Sequence, residues 1–188
     1  MNRLLITGAA GGLGRVMRDR LAPLATTLRL ADIVPITDAR PNEEIVTCDL
    51  SDAKAVDAMV AGCDGIVHLG GISVETPFEP ILHANIIGVY NLYEAARAHG
   101  MPRIIFASSN HTVGFWEQSD YLTHDCPYRP DTYYGVSKIF GEAVAQMYFE
   151  KFGQETARVR IGSCFERPAD HSQLGSWLSY DDFTAMIE

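Results

Sequence analysis

The chain has 188 residues, 47% hydrophobic side chains and a formal net charge of -9. This length fits one domain with a buried core, and the acidic balance argues against nucleic acid or an anionic membrane as a partner, because both attract clustered Lys and Arg. No apolar run approaches the roughly 20 residues that span a bilayer, and the first run is too short for a signal peptide, which favours a cytoplasmic protein.

Short apolar runs alternate along the chain with longer helical stretches. Most of the runs end at Gly, Asp or Ser, which are common turn and cap residues. The runs predict strands at 3–7, 27–31, 44–48, 66–69, 103–107 and 156–161. Helices are predicted at about 15–21, 52–60, 80–99, 132–152 and 181–188, with Ser51 or Asp52 as the cap of the second.

This alternation, with mostly apolar strands, indicates an α/β fold in which helices cover both faces of a parallel sheet. Right-handed crossovers make it a doubly wound, Rossmann-type sheet, whose ligands bind beyond the carboxyl ends of the strands. Only 27 residues follow Ile161, and the last predicted helix has no stop signal. Either the chain continues in the natural protein or its substrate region is minimal.

A GxxGxxG turn, formed by Gly8, Gly11 and Gly14, lies between the first strand and the first helix. The first glycine permits a tight turn, the second lets the backbone approach a pyrophosphate, and the third lets helix and strand pack closely. Free amides at the start of the helix then bind the anion. The strand–turn–helix context favours dinucleotide binding over a merely flexible turn.

Acidic residues follow the second and third strands. Asp32 can accept hydrogen bonds from the adenosine ribose and repel a 2′-phosphate, and Ile33 stands where an NADP enzyme often has an arginine, so NAD is the predicted cofactor. The alternative for Asp32 is a solvated acid at a strand end. Asp49 and Leu50 are predicted to lie against the adenine, although Asp49 could equally be a simple helix cap.

Tyr134 and Lys138 are four residues apart, so on a helix they share one face. A tyrosine with a pKa near 10 is a poor base at neutral pH, and a nearby ammonium is expected to lower that pKa. Ser109, after the fifth strand, offers a hydroxyl to orient a reacting alcohol. These three residues are the predicted catalytic group of an oxidoreductase, although YxxxK alone usually marks two solvated helix residues.

No metal site is predicted. Zinc and redox dithiol sites need closely spaced ligands. The histidines are scattered, and no CxxC pair occurs among Cys48, Cys63, Cys126 and Cys164. Unpaired thiols suit a reducing compartment.

The motifs together resemble a known family. The glycine turn, Asp32, Asp49-Leu50, Ser108-Ser109, YGVSK at 134–138 and NIIGVYNLYEAA at 85–96 look like the extended short-chain dehydrogenases/reductases, the NAD-dependent epimerase/dehydratase group. HLGGISV at 68–74, FASSNHT at 106–112 and RIGSC at 160–164 resemble the uronate dehydrogenase family more narrowly.

The resemblance implies oxidation of the C1 hydroxyl of D-glucuronate or D-galacturonate to an aldarolactone, with NADH formed. Tyr134 would take the hydroxyl proton, and Lys138 would also hold the nicotinamide ribose. The sugar would be lined by Ser73, Ser109, Asn110, His111 and Ser163. Further implied cofactor contacts are Gly12, Leu13, Ile33, Leu69, Gly70, Gly71, Ile72, Asn85 and Cys164. His111 could instead be an ordinary loop histidine.

One position departs from the family pattern. Uronate dehydrogenases have an arginine after the Gly-Ser-Cys motif that grips the substrate carboxylate, since a guanidinium fork matches it. Ser172 stands at that place, and Arg167 lies five residues earlier. Substrate recognition is therefore a separate question from dehydrogenase chemistry.

Three alternatives remain. The chain could be a sugar or sugar-nucleotide epimerase or dehydratase, although Asn110 and His111 supply no acid beside Ser109. It could be a non-catalytic NAD-binding regulator, or the long helices could chiefly form a homo-oligomer interface. We expect residues 1–161 to form the NAD-binding domain with the catalytic residues, and 162–188 to begin the substrate-binding region.

Overall fold

The computed structural model of the protein describes residues 1–117 and 119–188, and of Ser172 the backbone alone. Within these residues, parallel strands form a six-stranded sheet: β1 (Arg3–Thr7), β2 (Thr27–Asp32), β3 (Glu43–Thr47), β4 (Gly65–His68), β5 (Arg103–Ser109) and β6 (Thr156–Ile161). Their order is β3-β2-β1-β4-β5-β6. The chain leaves β1 in one direction and returns on its other side at β4, which is the switch point of a doubly wound sheet. The predicted fold class is confirmed.

Helices connect these strands. They are α1 (Gly12–Arg20), α2 (Ala53–Val60), α3 (Phe78–Ile81), α4 (Gly88–Ala98), α5 (Tyr133–Phe152) and α6 (Tyr180–Ile187). A small pair of parallel strands, β7 (Ser163–Cys164) and β8 (Trp177–Leu178), follows the main sheet. Of the described helices, none combines the length and the apolar character that crossing a bilayer requires.

The core lies on both faces of the sheet because successive side chains of a strand point in opposite directions. Leu5 packs in a cluster with buried residues of α2, α4 and α5. Leu4 and Ile6, its neighbours in β1, pack in the other cluster, with Met17 of α1 and Phe183 of α6. Both faces of β1 are therefore buried, which explains why its sequence is continuously apolar.

Local capping places the helix that carries the predicted catalytic pair. The Thr132 hydroxyl accepts a hydrogen bond from Gly135 N at 2.9 Å, and Gly153 ends the helix in the left-handed conformation at φ 78°. At α2 the cap is Asp52, which accepts from Lys54 N and Ala55 N. The sequence had left Ser51 and Asp52 open for this role.

Several predicted elements differ in detail. The first helix begins at Gly12 and not at about residue 15, so Gly14 lies within it. The fifth strand continues through Ser109, because Ser108 and Ser109 pair with Arg160 and Ile161 of β6. The predicted helix 80–99 begins at Phe78 and contains a π-helical stretch, Leu82–Ile87, between α3 and α4. Ladder pairing and an i→i+5 stretch depend on tertiary neighbours, which hydrophobic periodicity does not report.

The last helix packs against the sheet domain. Ser179 caps α6 through Asp182 N, and the fully buried Phe183 ring joins the core on the α1 side. Arg20 and Asp181 form an ion pair between α1 and α6. The predicted final helix is present, and it lies on the face of the sheet that α1 covers.

Candidate active site

A cavity of about 850 Å³ lies at the carboxyl ends of the strands. The chain reaches it from the strand ends of β1, β2, β4 and β5, from the turn after β3, and from α5. Of the predicted site residues, all but one line it: Gly8, Gly11, Gly12, Leu13, Gly14, Asp32, Ile33, Asp49, Leu50, Leu69, Gly70, Gly71, Ile72, Ser73, Ser109, Asn110, His111, Tyr134, Lys138, Ser163 and Cys164. The exception is Asn85.

The glycine turn is closely packed at Gly8 and Gly14, where the sequence predicts a tight turn and close contact of helix and strand. Gly8 has φ 71°, and a Cβ there would lie 2.8 Å from Gly70 N. A Cβ on Gly14 would lie 2.1 Å from the Gly8 carbonyl oxygen, whereas a Cβ on Gly12 would meet nothing within 4 Å. No side chain caps α1 at Gly11. The free amides at the start of α1 and the open space beside Gly12 suit a bound pyrophosphate.

Asp32 ties the end of β2 to the glycine turn. Its two carboxylate oxygens accept one backbone hydrogen bond each, from Ala10 N at 2.9 Å and from Val34 N at 3.0 Å. A carboxylate oxygen can accept a further hydrogen bond, so Asp32 retains capacity for ribose hydroxyls while its orientation is held.

Asp49 is not the cap of α2. Its carboxylate accepts hydrogen bonds from the backbone and the hydroxyl of Ser51, both at 2.8 Å, and the backbone bond is the main reason that its pKa is lowered. Leu50 lies between the cavity and α4, where a Cβ on Gly88 would lie 2.8 Å from Leu50 Cβ. The adenine contacts of both residues stay predictions.

The predicted catalytic pair, Tyr134 and Lys138, is buried and lines the cavity. Tyr134 is 8% exposed and Lys138 is 6% exposed. The ammonium lies 5.5 Å from the centre of the Tyr134 ring and 5.2 Å from that of Phe106. Lys138 Nζ makes no hydrogen bond with any described residue, so this buried ammonium has donors left for a ligand in the cavity.

The sequence predicted that the Lys138 ammonium lowers the pKa of Tyr134. This prediction is wrong for the protein groups alone. Burial raises the pKa of Tyr134 above its ordinary value, and the nearby Ser109 hydroxyl opposes that rise only in part. Burial also lowers the pKa of Lys138 to about 8. The reason is that both groups are removed from water, and desolvation disfavours the charged form of each.

Ser109, Asn110 and His111 form a polar wall beside Tyr134. The Ser109 hydroxyl donates to Asn110 Oδ1 at 3.3 Å and accepts from His111 N at 3.1 Å. The His111 ring lies edge-on to the Tyr134 ring, 5.6 Å between centres. In the segment after β6, Ser163 Oγ lies 3.3 Å from Ser176 Oγ. All of these groups except Ser176 line the cavity, and their contacts with a sugar stay predictions.

Asn85 lies behind the cavity wall. Its side chain is buried, accepts from Ile72 N at 2.8 Å, and donates to Ile72 O and to Ser137 Oγ at 2.9 Å each. Asn85 therefore connects the loop after β4 to the catalytic helix. A direct cofactor contact of Asn85, as the sequence suggested, stays a prediction.

Sequence reasoning missed a buried acid on the catalytic helix. Glu142 accepts from the Ser108 hydroxyl at 2.5 Å, from Arg160 Nε and Nη2 at 2.9 Å each, and from Tyr128 Oη at 3.0 Å. Burial alone would raise the pKa of Glu142, but Arg160 and Ser108 hold it below its ordinary value. Its position, four residues after Lys138 on the same helix face, was the available signal.

His68, at the end of β4, is a second missed residue. It is fully buried, and burial, with a contribution from the charge of Lys138, lowers its pKa to about 3. Its Nδ1 lies 2.8 Å from the Thr7 hydroxyl, which accepts from Gly70 N at 3.0 Å. A neutral His68 therefore connects the ends of β1 and β4 beneath the cavity.

The Cys164 thiol lines the cavity, and burial raises its pKa to about 11. It is therefore a neutral contact group and a poor nucleophile. Ser172 stands where the sequence resemblance implies a carboxylate-binding arginine, and its side chain lies outside the described part of the chain.

Residues 4–171 match the model of the NAD dependent epimerase/dehydratase family. The chain belongs to this family. The sequence resemblance and the predicted fold are thereby confirmed.

Within the family, the chain is most usefully compared with uronate dehydrogenases. The uronate dehydrogenase of Agrobacterium fabrum (strain C58 / ATCC 33970) is 69% identical over 188 residues, which are 100% of this chain and 71% of that protein. The uronate dehydrogenase of Pseudomonas putida is 55% identical over 188 residues, 100% of this chain and 70% of that protein.

A solved structure of the same kind has nearly the same backbone. It is a mutant of the uronate dehydrogenase from Agrobacterium tumefaciens complexed with NAD, and it has a TM-score of 0.98 and 68% sequence identity. The alignment covers 100% of this chain and 71% of that one. The backbone of this chain is therefore nearly the same as that of a relative crystallised with NAD, the predicted cofactor.

Proposed function

We propose that the chain oxidises the C1 hydroxyl of a hexuronic acid, D-glucuronate or D-galacturonate, to the aldarolactone and forms NADH from NAD. One observation carries the chemistry: the buried Tyr134–Lys138 pair and Ser109 share a cavity with the glycine turn. Identities of 52% to 69% with three uronate dehydrogenases support the choice of substrate.

NAD fits the groups that line the cavity. The amides around Gly12 would hold the pyrophosphate, Asp32 the adenosine ribose, and the unpaired Lys138 ammonium the nicotinamide ribose. The remaining contact residues keep the roles predicted for them. When bound, NAD supplies a positively charged nicotinamide ring as the hydride acceptor. The cofactor prediction agrees with the family to which the chain belongs.

The protein residues would carry the proton side of the reaction. Burial raises the pKa of Tyr134, so its phenolate would need the positive charges of Lys138 and of the bound nicotinamide ring beside it. That phenolate would take the proton of the C1 hydroxyl while the C1 hydride leaves with its electron pair, so that the C1–O bond becomes a carbonyl. Ser109, which lies beside the phenol, would orient the same hydroxyl. Ser73, Asn110, His111 and Ser163 would hold the rest of the sugar ring.

The distribution of acids in the cavity favours a dehydrogenase over a dehydratase. The described carboxylates that line it are Asp32 and Asp49, both on the side of β2 and β3. An elimination needs an acid beside the catalytic hydroxyl, and Ser109 has Asn110 and His111 as neighbours. A regulator without activity would have no need of a buried tyrosine–lysine pair.

A neutral aldose is the second candidate substrate. Among the described residues that line the cavity, the basic side chains are Lys138 and His111. A substrate carboxylate would find no guanidinium among them, whereas C1 oxidation itself needs none. Uronate and neutral sugar therefore differ only in what holds C6.

The remaining predictions on organisation stay proposals. Residues 1–161 would form the NAD-binding and catalytic domain, and 162–188 would begin the substrate-binding region. A homo-oligomer through the long helices agrees with the exposed Tyr90 of α4 and Phe149 of α5; light scattering tests it. A cytoplasmic location agrees with four free cysteines.

The test is an assay of NADH absorbance with D-glucuronate, D-galacturonate, D-glucose and D-galactose, with NAD and NADP in parallel. We expect net NADH with a uronate and NAD; a net yield of zero with turnover would indicate an epimerase. Tyr134→Phe should lower kcat at least about 100-fold, as expected for loss of a general base, with the Kd of NAD nearly unchanged. Tyr133→Phe, one residue away and half-exposed, is the matched control, and equal activity of both variants would reject Tyr134 as the base.

A further inference from the structure

A histidine–aspartate pair stands beside the catalytic hydroxyls. His111 Nδ1 lies 2.8 Å and 3.1 Å from the two carboxylate oxygens of Asp131. His111 lines the cavity and Asp131 does not, so the imidazole ring separates the carboxylate from the ligand space. Neither the glycine turn nor the Tyr134–Lys138 spacing pointed to Asp131.

Close backbone contacts hold both partners in place. A Cβ on Gly114 would lie 2.3 Å from the Asp131 carboxyl carbon, and a Cβ on Gly135 would lie 2.3 Å from the His111 carbonyl oxygen. The Thr132 hydroxyl donates to Asp131 Oδ1 at 3.2 Å, and the same hydroxyl caps the helix that carries Tyr134. The pair is therefore part of the frame that places the catalytic base.

The carboxylate decides which imidazole nitrogen carries the proton. An ionised carboxylate only accepts hydrogen bonds, so His111 Nδ1 must donate. A neutral imidazole has a single N–H, which leaves a lone pair on Nε2. Nε2 of His111 makes no hydrogen bond with any described residue, and it is the ring nitrogen that remains available to a ligand.

We propose that Asp131 is a positioning residue that holds His111 in the Nδ1–H tautomer, so that Nε2 accepts a hydrogen bond from a hydroxyl of the sugar. This inference rests on the proposed oxidation of a sugar. The bound hydroxyl is a neighbour of the one that Tyr134 deprotonates, because the His111 and Tyr134 rings are in edge contact. Asp131 acts on binding and orientation through His111 and takes no proton from the substrate.

The tautomer is measured directly by nitrogen NMR of histidine-labelled protein, in which protonated and unprotonated ring nitrogens have separate shifts. We expect Nδ1 of His111 to carry the proton in the unsubstituted protein. In Asp131→Ala the preference for Nδ1–H should be lost, whereas Asp131→Asn should keep it, since the amide oxygen can still accept. A proton on Nε2 in the unsubstituted protein would overturn the proposal.

Kinetics supply a readout that a merely structural role would not move. Asp131→Ala should raise KM for the sugar and lower kcat/KM about 10-fold, equivalent to about 1.4 kcal/mol, with the Kd of NAD unchanged. The matched control is Asp57→Ala, which removes the partner of His99, a surface pair with 2.9 Å between its atoms. Unchanged kcat/KM in Asp131→Ala, or equal losses in both variants, would reject the proposal.

Sugars that lack single hydroxyls identify the bound group. With the unsubstituted protein, removal of one sugar hydroxyl should lower kcat/KM about as much as Asp131→Ala lowers it for the full sugar. With Asp131→Ala, the same deoxy sugar should have about the same kcat/KM as the full sugar. If the losses of kcat/KM from Asp131→Ala and from removal of a hydroxyl were additive for every deoxy sugar, the proposal would be contradicted. If the unsubstituted protein forms NADH from no sugar, the proposed function fails, and the NMR result still reports on the tautomer. Should Asp131→Ala not fold, Asp131→Asn and the unsubstituted protein carry the NMR test.

Discussion

Replacement of Gly14 by alanine tests whether the glycine turn is shaped by packing as well as by its ligand. The new Cβ would lie 2.1 Å from the Gly8 carbonyl oxygen and 2.7 Å from Ala9 Cα. Real Cβ contacts to heavy atoms stay above 3.0 Å, so the turn must open by about 0.9 Å. The obstructing atoms belong to the backbone, which cannot rotate away as a side chain can.

The cost follows from overpacking, which destabilises proteins by about 1–3 kcal/mol. Each kcal/mol lowers the Tm of a chain of this size by about 2–4 °C. The opened turn also moves the amides that would hold the pyrophosphate, so we expect the Kd of NAD to rise at least about 10-fold. Thermal unfolding followed by circular dichroism and NAD titration followed by calorimetry give the two quantities.

Two other glycines separate packing from ligand contact. The new Cβ of Gly12→Ala would meet no protein atom within 4 Å, so the Tm of this variant should not fall. The same Cβ would occupy space in the cavity and should weaken the binding of NAD. Gly175→Ala, also without a neighbour within 4 Å and outside the cavity lining, should change neither quantity. If Gly14→Ala kept both the Tm and the NAD affinity of the unsubstituted protein, the packing argument for the turn would be refuted.

Two further changes test the buried charges. Lys138→Met removes an ammonium that is charged at pH 7 in both the folded and the unfolded chain. The pKa of this group falls from 10.5 to about 8 on folding, so burial of its charge destabilises the fold. The variant should therefore be more stable than the unsubstituted protein at pH 7, by at most roughly 3 kcal/mol. That gain should shrink above pH 8 and vanish by about pH 10.5, and urea unfolding that shows a gain independent of pH would disprove the assignment. Glu142→Gln leaves the Arg160 guanidinium without its buried ionic partner and should lower the free energy of unfolding by about 3–5 kcal/mol. Glu155→Gln breaks the exposed pair with Arg103 and should lower it by less than about 1 kcal/mol. Equal losses of Tm in the two variants would show that Glu142 contributes no more than a surface charge.

The sequence predicted the fold because its signals are local. The apolar run at 3–7 is short and continuous, the glycines at 8, 11 and 14 follow it, and a helical stretch comes next. Each of these features depends on neighbours a few residues away, so their order along the chain is enough to indicate a doubly wound sheet. The boundaries were less certain, since the last residues of β5 are held in the sheet by pairing with β6.

The site was predictable to the extent that its residues come from motifs. Tyr134, Lys138, Ser109 and the glycine turn were identified by spacing and by position after strands. Asp131 and Glu142 were missed because their partners, His111 and Arg160, are 20 and 18 residues away. Asn85 belonged to a motif, yet its side chain lies behind the cavity wall, a fact that no motif contains.

By itself the sequence determined the parallel sheet, and it predicted the dinucleotide turn and the catalytic side chains, because backbone propensity, periodicity and residue chemistry are properties of short segments. Tertiary structure alone decided the direction of the Tyr134 pKa shift, the ionic partner of each buried charge and the hydrogen-bonding state of His111. Those properties depend on how much water is excluded and on which groups meet across the fold, and contacts between distant segments exist only once the chain has folded.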